Sequence, residues 1–536
     1  MSDSERRNFL GGFWITSVAT LGGRVLGLVR DIATASLLGL GEGGVMDAFV
    51  VAFRMPNLFR RVLGEGALAT SYLPVLTAEL ERNRRSAWQL VSVLMTVLAV
   101  LLAALVILGE LLCAAAWWWL GEVHGVRLLA GLSAALLPYL LLVCLSVQIS
   151  TTLQALGHFR WPAIAPLLLN VCWLVAAWWV APRFSPDKVA QAYVLAAAVV
   201  LSGGLQIAIQ LPTLLALGFR FDFDWSSARR GIAEIGRAMA PMVLGLAVTQ
   251  LNTVLDSFIA WGLAAVPGEP TAIAWLGGAV DYPMRAGAAA AIYYGERFYQ
   301  FPVGILGLAL ATVIYPRLSR HAARGERDLV AADLTSGLRL IWFLTIPASV
   351  GLMLLAEPLA KVLFERGQFT AADTARAARV IGCYASGVWA YCAIPVVVRG
   401  YYALADRATP VRVGMATVAL DLALNLTLIW PLAEAGLAVA TSVAAAMQVA
   451  WLVTLFSRRH ARLNLRDLAG GLGRTCLLAV AMAAAVAAVL VWLPAGPGRL
   501  GDVVRIAAAV GVGLGLYLGL ARLLRMPELG LLLGRR

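Results

Sequence analysis

The sequence predicts an all-α polytopic membrane protein with about 14 transmembrane helices, in two six-helix lobes plus a C-terminal pair. Three observations carry that reading. The 536 residues are 61% hydrophobic and only 14% charged, with mean hydropathy +0.81, more apolar surface than a water-soluble domain can bury. Apolar runs of about 20 residues or more, the length needed to cross hydrocarbon, recur fourteen times. Two of these runs also match one another in sequence at a long, fixed offset.

The first six runs fall at 13–38, 47–78, 86–118, 128–156, 161–182 and 189–217. The next six fall at 232–262, 284–316, 329–361, 373–403, 409–430 and 436–457, and the last two at 468–494 and 502–524. Several exceed the minimum length, which tilt accommodates. No loop between them could house a soluble domain; the longest, 218–231 and 263–283, are short. With the N-terminus inside, the cytoplasmic side carries most of the basic residues, among them Arg82, Arg84, Arg85, Arg229, Arg230, Arg458, Arg459 and Arg462. That asymmetry orients the chain with both termini cytoplasmic.

The repeat pairs "LATSYLPVL" at 68–76 with "LATVIYPRL" at 310–318, 242 residues later. A weaker match joins "LGELL" at 108–112 to "LAEPL" at 355–359. The second run therefore lies over the eighth and the third over the ninth. The reading divides the chain into an N-terminal lobe at 1–218, a C-terminal lobe at 219–460 and a helix pair at 461–536. Such repeats mark transporters that rock two halves about a central site. The net charge of +13 suits anionic lipid headgroups or an anionic substrate. The six cysteines lie in apolar runs without CxxC spacing, and the four histidines are scattered. That leaves no metal cluster, disulfide framework or His-based triad to expect.

Charge within the apolar runs is the chemical signal. The first run holds Arg24, Arg30 and Asp31, with Gly23 and Gly27 spaced for close helix approach. Arg24 and Asp31 share a face but are separated by about 10 Å of rise. The second run holds Asp47, Arg54, Arg60, Arg61 and Glu65, where Arg61 and Glu65 read as an ordinary i,i+4 pair and Arg60 lacks a local partner. The eighth holds Glu296 and Arg297. A guanidinium at mid-membrane costs about 2.5–3.5 kcal/mol on insertion scales and so faces protein or a water-filled cavity. Two readings stand at this point. Either Arg24, Arg30, Arg60 and Arg297 pair with Asp31, Asp47, Glu65 and Glu296 between helices, or arginines outnumber carboxylates in a cavity suited to phosphate.

A second polar set comprises Asp256, Asp421 and Asn425 at i,i+4, and Thr441. Its oxygens suit a hard monovalent cation or a shared proton, or hydrogen bonds that stitch helices together. Coupling sodium or a proton is the one cofactor the sequence leaves open.

"RVLGLVRD", "DAFVVAFRMPNLFRRVLGEGALATSYLPVL", "YYGERFYQFPVGILGLALATVIYPRLS", "LFERGQFTAADT" and "YYALADRATPVRV" resemble the MurJ (MviN) family. These are bacterial lipid II flippases of the multidrug/oligosaccharidyl-lipid/polysaccharide exporter superfamily. The resemblance spans about residues 10–460. It implies fourteen helices in two lobes, a lipid-tail groove on the last two, and no enzymatic activity. It also implies a substrate-binding set of Arg24, Arg30, Asp31, Asp47, Arg60, Glu296 and Arg297. The family includes members with a cation site and members without one. Ala290, serine in some relatives, and a two-residue lengthening before Asp47 depart from the family pattern. The implied partners are lipid II, membrane lipids and cell-wall synthesis machinery, with no nucleic acid, and the chain is expected to act as a monomer in the cytoplasmic membrane. Rival readings are a flippase for another undecaprenyl-linked glycan, a cation-coupled drug exporter, or a membrane glycosyltransferase. The drug exporter would need an acidic cavity, and the glycosyltransferase an acidic cluster in a large external loop, which the sequence lacks.

Overall fold

The computed structural model describes residues 3–532 apart from 42, 122, 124, 269, 274–277, 279, 495 and 497; side chains 3–14, 63–65, 241 and 244–249 lie outside the description. The chain folds as two compact units, Met1–Asp281 with Arg285–Ala289, and Tyr282–Met284 with Ala290–Arg536.

The first unit begins with α1 (Asp3–Leu38) and α2 (Val45–Phe59), which runs through a π-helical stretch, Arg60–Leu68, into α3 (Ala69–Arg82). The helices α4 (Arg84–Leu120), α5 (Val126–Ala155) and α6 (Arg160–Val175) follow. After a π-helical turn at Ala176–Val180 come α7 (Ala181–Phe184), α8 (Lys188–Ala216) and α9 (Trp225–Gly262). Short polar residues set the starts: Asn83 accepts from Arg85 N at α4, Asp187 from Val189 N and Ala190 N at α8, and Asp224 from Ser226 N and Ser227 N at α9. α5 packs against α2, α4 and α8, and α6 against α1 and α8. Of the Gly23–Gly27 pair, only Gly23 meets a neighbour, with Leu167 Cδ2 3.3 Å from where its Cβ would stand.

The second unit contains α10 (Ala288–Pro302) from Ala290 onward, a π-helical turn at Val303–Gly307 and α11 (Leu308–Ala323). Then come α12 (Arg327–Leu354), α13 (Ala356–Phe364), α14 (Ala371–Ala385), α15 (Val388–Ala403), α16 (Ala408–Leu432) and α17 (Glu434–Arg459). The chain ends in α18 (Leu465–Trp492), α19 (Gly498–Leu523) and the short α20 (Pro527–Leu532). Ile314, Leu334, Ile341, Val396, Tyr401 and Phe456 belong to one buried cluster joining α11, α12, α15 and α17. α18 packs on α12 and carries α19 with it, through a second cluster of Phe343, Met482, Val486 and Tyr517. Arg339 of α12 ties both ends of that pair: it donates to Glu528 Oε1 (2.8 Å from Nε) and to Asp467 Oδ1.

The chain is an all-α polytopic membrane protein. Among the described residues, eleven helices are long and apolar enough to cross a membrane. The three other apolar runs of the sequence, 13–38, 47–78 and 232–262, are also helical throughout. The contacts divide the chain later than the repeat does. α9, placed at the head of the C-terminal lobe by the boundary at 218, packs here on α2, α3 and α4. The cause is partly polar, since Arg54 Nη1 donates to Thr253 O at 2.8 Å and Arg61 Nη1 to Gln250 Oε1 at 3.4 Å.

Candidate functional site

In the first unit, Arg24 and Arg30 have opposite fates although both lie on α1. Arg24 is exposed, flanked one turn away on either side by exposed Leu21 and Leu28. Arg30 is buried and held from three directions. Its Nε and Nη2 donate to Asp31 Oδ1 at 3.1 and 2.8 Å, and its Nη1 donates to Asn170 Oδ1 at 3.3 Å. Its guanidinium lies 4.7 Å from the ring centroid of Trp173, a cation–π contact strengthened by burial. That ring is fixed in turn: Trp173 Nε1 donates to Thr34 Oγ1 at 2.9 Å, and Phe49 and Phe53 meet it edge-on at 5.4 and 5.1 Å. Asp31 is therefore the counter-ion of the residue immediately before it, a pairing that helical spacing rules do not anticipate.

The second helix distributes its charge differently. Asp47 is buried and accepts from Gly287 N through Oδ2 at 2.6 Å. The carboxylate thus clasps the start of the turn that leads into α10. Arg60, the first residue of the π-helical stretch, donates from Nε and Nη2 to Asn57 Oδ1 at 3.1 and 2.9 Å. It has the local partner the sequence did not indicate, a neutral amide one turn back. The expected Arg61–Glu65 pair involves a side chain outside the described residues, and Arg61 reaches Gln250 on α9.

In the second unit, Glu296 of α10 is buried. Beside it Arg297 lays its guanidinium 4.4 Å from the Tyr293 ring centroid and donates to Gln300 Oε1 at 3.3 Å. Further along, Asp421 and Asn425 of α16 are both 1% exposed, and Asn425 Nδ2 donates to Asp421 Oδ2 at 3.1 Å. Thr441 of α17, the helix packed most extensively on α16, donates to its own Leu437 O at 3.0 Å. That leaves lone pairs on a hydroxyl oxygen. Asp256 is buried on α9 and belongs to the first unit, so no single compact unit holds all four residues of the cation set. Among the described residues no group of three His, Cys, Asp or Glu side chains is arranged to hold a metal ion.

The residues that sequence reasoning passed over are the neutral ones. Asn170 and Trp173 cradle Arg30, Asn57 holds Arg60, and Tyr293 with Gln300 holds Arg297. A signal existed in "LLLNVCW", where a lone amide stands three residues before a tryptophan in apolar helix, the spacing that puts both on one face.

A family model described as "Lipid II flippase MurJ" matches residues 35–508. The chain belongs to the MurJ lipid II flippase family. A relative from Vibrio cholerae serotype O1, named "Probable lipid II flippase MurJ", is 35% identical over 455 residues, covering 82% of this chain and 81% of its own. One from Burkholderia cenocepacia, named "Lipid II flippase MurJ", is 30% identical over 440 residues, covering 80% of each chain. A solved structure titled "Lipid II flippase MurJ, inward closed conformation" shares the fold with TM-score 0.72 at 21% identity, over 95% of this chain and 99% of that one. A multidrug transporter of the MATE family, solved facing inward, shares it with TM-score 0.61 at 13% identity, over 81% of this chain and 95% of the other. The family is one of transporters, and the fold extends to exporters of the wider superfamily.

Proposed function

We propose that this chain moves lipid II from the inner to the outer leaflet of the bacterial cytoplasmic membrane, by exposing one internal site alternately to either side. The observation that carries the reading, within this family, is Arg24. It is an exposed cation in an apolar helix, with leucines a turn above and below. A guanidinium at that depth is tolerated where it meets water or an anion. Its surroundings suit a diphosphate joined to an isoprenoid chain. Arg60 in the first unit, oriented by the Asn57 amide, and Arg297 in the second, oriented by Gln300, each offer bidentate donors suited to phosphate. Buried Arg30 and Asp31 set the shape of the α1–α6 contact behind them. A drug exporter for cations would want the opposite sign of charge at these positions.

The membrane potential suffices to bias such a carrier. Moving one net negative charge outward across an inside-negative potential is favoured by about 2.3 kcal/mol per 100 mV. A coupling sodium ion or proton held by Asp421, Asn425 and Thr441 would reset the empty carrier, and Asp256 in the first unit is a second buried carboxylate that could carry a proton by itself. Both termini lie in the cytoplasm on this reading, the monomer is the working unit, and the cell-wall synthesis machinery receives the product. The test is rescue of a bacterium depleted of its own flippase, with lipid II at the outer surface measured directly. Restored surface lipid II is expected. A chain that reaches the membrane yet leaves lipid II inside would refute the reading.

A further inference from the structure

The corner where the loop 365–370 meets the start of α19 gathers three cations and leaves two of them without a counter-ion. Lys361 Nζ pairs with Asp502 Oδ2 at 3.0 Å, tying α13 to α19. Arg499 donates from Nη2 to the main-chain carbonyl of Glu365 at 3.1 Å, and Arg366 from Nη2 to Val362 O at 2.7 Å. These contacts fix both guanidiniums without neutralising either one. The local carboxylates are engaged elsewhere. Glu365 Oε2 accepts from Thr374 Oγ1 at 2.8 Å, Asp373 Oδ2 accepts from Thr370 N at 2.9 Å, and Asp502 holds Lys361. Among the described residues, neither arginine takes part in an ion pair, and Arg366 Nε is buried without an acceptor.

Two positive groups set this close, one partly withdrawn from water, repel each other. Burial, and then the charge of Arg499, lower the Arg366 guanidinium below its ordinary value. An anion between them removes both penalties, and planar guanidiniums match phosphate oxygens in bidentate fashion. The surroundings say where that phosphate comes from. Trp492, at the end of α18, is 84% exposed, and Leu500, next to Arg499, is 76% exposed. A bare tryptophan closing one spanning helix, and a bare leucine next to Arg499 at the start of the following one, are the composition of the headgroup level of a bilayer.

We propose that Arg366 and Arg499 form a binding site for the phosphate of a membrane lipid headgroup, with Trp492 and Leu500 against its acyl chains. The site uses none of the arginines of α1, α2 and α10. It stands on membrane residence alone, so it does not depend on which lipid the chain carries.

The experiment is native mass spectrometry of the full chain in detergent, titrated with phosphatidylglycerol, on wild type, R499Q, R366Q/R499Q and the control R183Q, which changes an arginine outside the site. The double variant is expected to weaken the tightest lipid-binding step about tenfold or more, and R499Q to weaken it less, as expected for loss of charge-assisted hydrogen bonds. R183Q should bind as wild type does. Arg499 is exposed and holds only a carbonyl, so R499Q decides the matter should the double variant fail to fold. A parallel titration uses inorganic phosphate. If it displaces the lipid from wild type and the variants abolish that competition, the same arginines take free phosphate. If the lipid alone is held, the ligand is the headgroup. Equal lipid binding by wild type and a folded double variant, or by wild type and R499Q where the double variant does not fold, would overturn the site.

Discussion

Shifted by the 242 residues of the repeat, the π-helical turn Val303–Gly307 falls on residues 61–65, inside the π-helical stretch Arg60–Leu68. The two helices thus widen at the same point, each after a proline (Pro56 in one, Pro302 in the other), and each resumes α-helical winding into the matched segment that defines the repeat. Their charges do not match. The first helix places Arg60 and Arg61 on the widened turn itself and reaches α9 through Arg61. The second has only "VGILG" there, with its charges, Glu296 and Arg297, well before it. At Gly307 an added Cβ would stand 3.0 Å from Cys392 Cα and 3.2 Å from Cys392 O, so that turn is spent on close backbone packing with α15. One backbone irregularity therefore serves two purposes, carrying cations in one lobe and permitting tight packing in the other. A π-helical turn shifts the register of the side chains that follow it, which gives a transporter helix a place to bend.

The comparison sharpens first at the cations, where the largest effects are expected. Arg24→Ala and Arg297→Ala should each abolish rescue of a flippase-depleted strain while leaving membrane levels and thermal stability near wild type. Arg61→Ala, whose described contact is with Gln250, should be milder. Normal rescue by both of the first two variants would break the proposal that these arginines receive the substrate.

Arg30→Ala separates position from exposure. It strips a buried carboxylate of its counter-ion, a change that typically costs about 3–5 kcal/mol. The expected result is a lower unfolding temperature and reduced membrane levels as well as lost transport. Removing both partners in Arg30→Ala/Asp31→Ala should restore part of that stability, because the orphaned charge goes too. A double variant less stable than Arg30→Ala would mean that the pair is not the clasp its geometry describes.

The fold class and the repeat were legible because both are written in long apolar runs and an ungapped match, signals that survive without tertiary context. The charged positions were legible for the same reason, since charge in apolar helix stands out. Their partners were not. Asn170, Trp173, Asn57 and Gln300 are neutral or apolar, and what they do depends on which helices touch. The placement of α9 was hidden too. A repeat records how the chain is patterned, whereas Arg54 and Arg61 reaching Thr253 and Gln250 decide which neighbours this helix keeps. Asp421 and Asn425 were found because i,i+4 spacing on one helix fixes their contact locally.

At the packed turn, Gly307→Ala should lower stability by about 1–3 kcal/mol through overpacking against α15, read as a fall in unfolding temperature in detergent. Gly27→Ala, where nothing lies within 4 Å of the added Cβ, should do little. Equal effects at the two glycines would remove the packing role assigned to the second lobe's turn.

The smallest effect is electrostatic. Asp406, in the loop before α16, accepts from Thr409 N at 3.0 Å and faces His460 Nε2 at 2.9 Å. Burial pushes its carboxyl upward, but the Thr409 hydrogen bonds and then His460 outweigh it and hold it below the ordinary 3.8. A depressed carboxyl stabilises the fold above its unfolded value and loses that contribution as pH falls through the folded one. Unfolding temperature should therefore decline more steeply for wild type than for Asp406→Asn as pH drops below about 4. Parallel curves would rule the interaction out as a contributor.

Flipping of fluorescent lipid II in vesicles reconstituted with the purified chain bears most directly on the central claim, that Arg24, exposed in an apolar helix, receives the lipid's diphosphate. The wild-type chain is expected to move labelled lipid II between leaflets. Arg24→Ala, folded and inserted to the same level, should reduce the rate to that of protein-free vesicles. Transport by Arg24→Ala at the wild-type rate would contradict the claim.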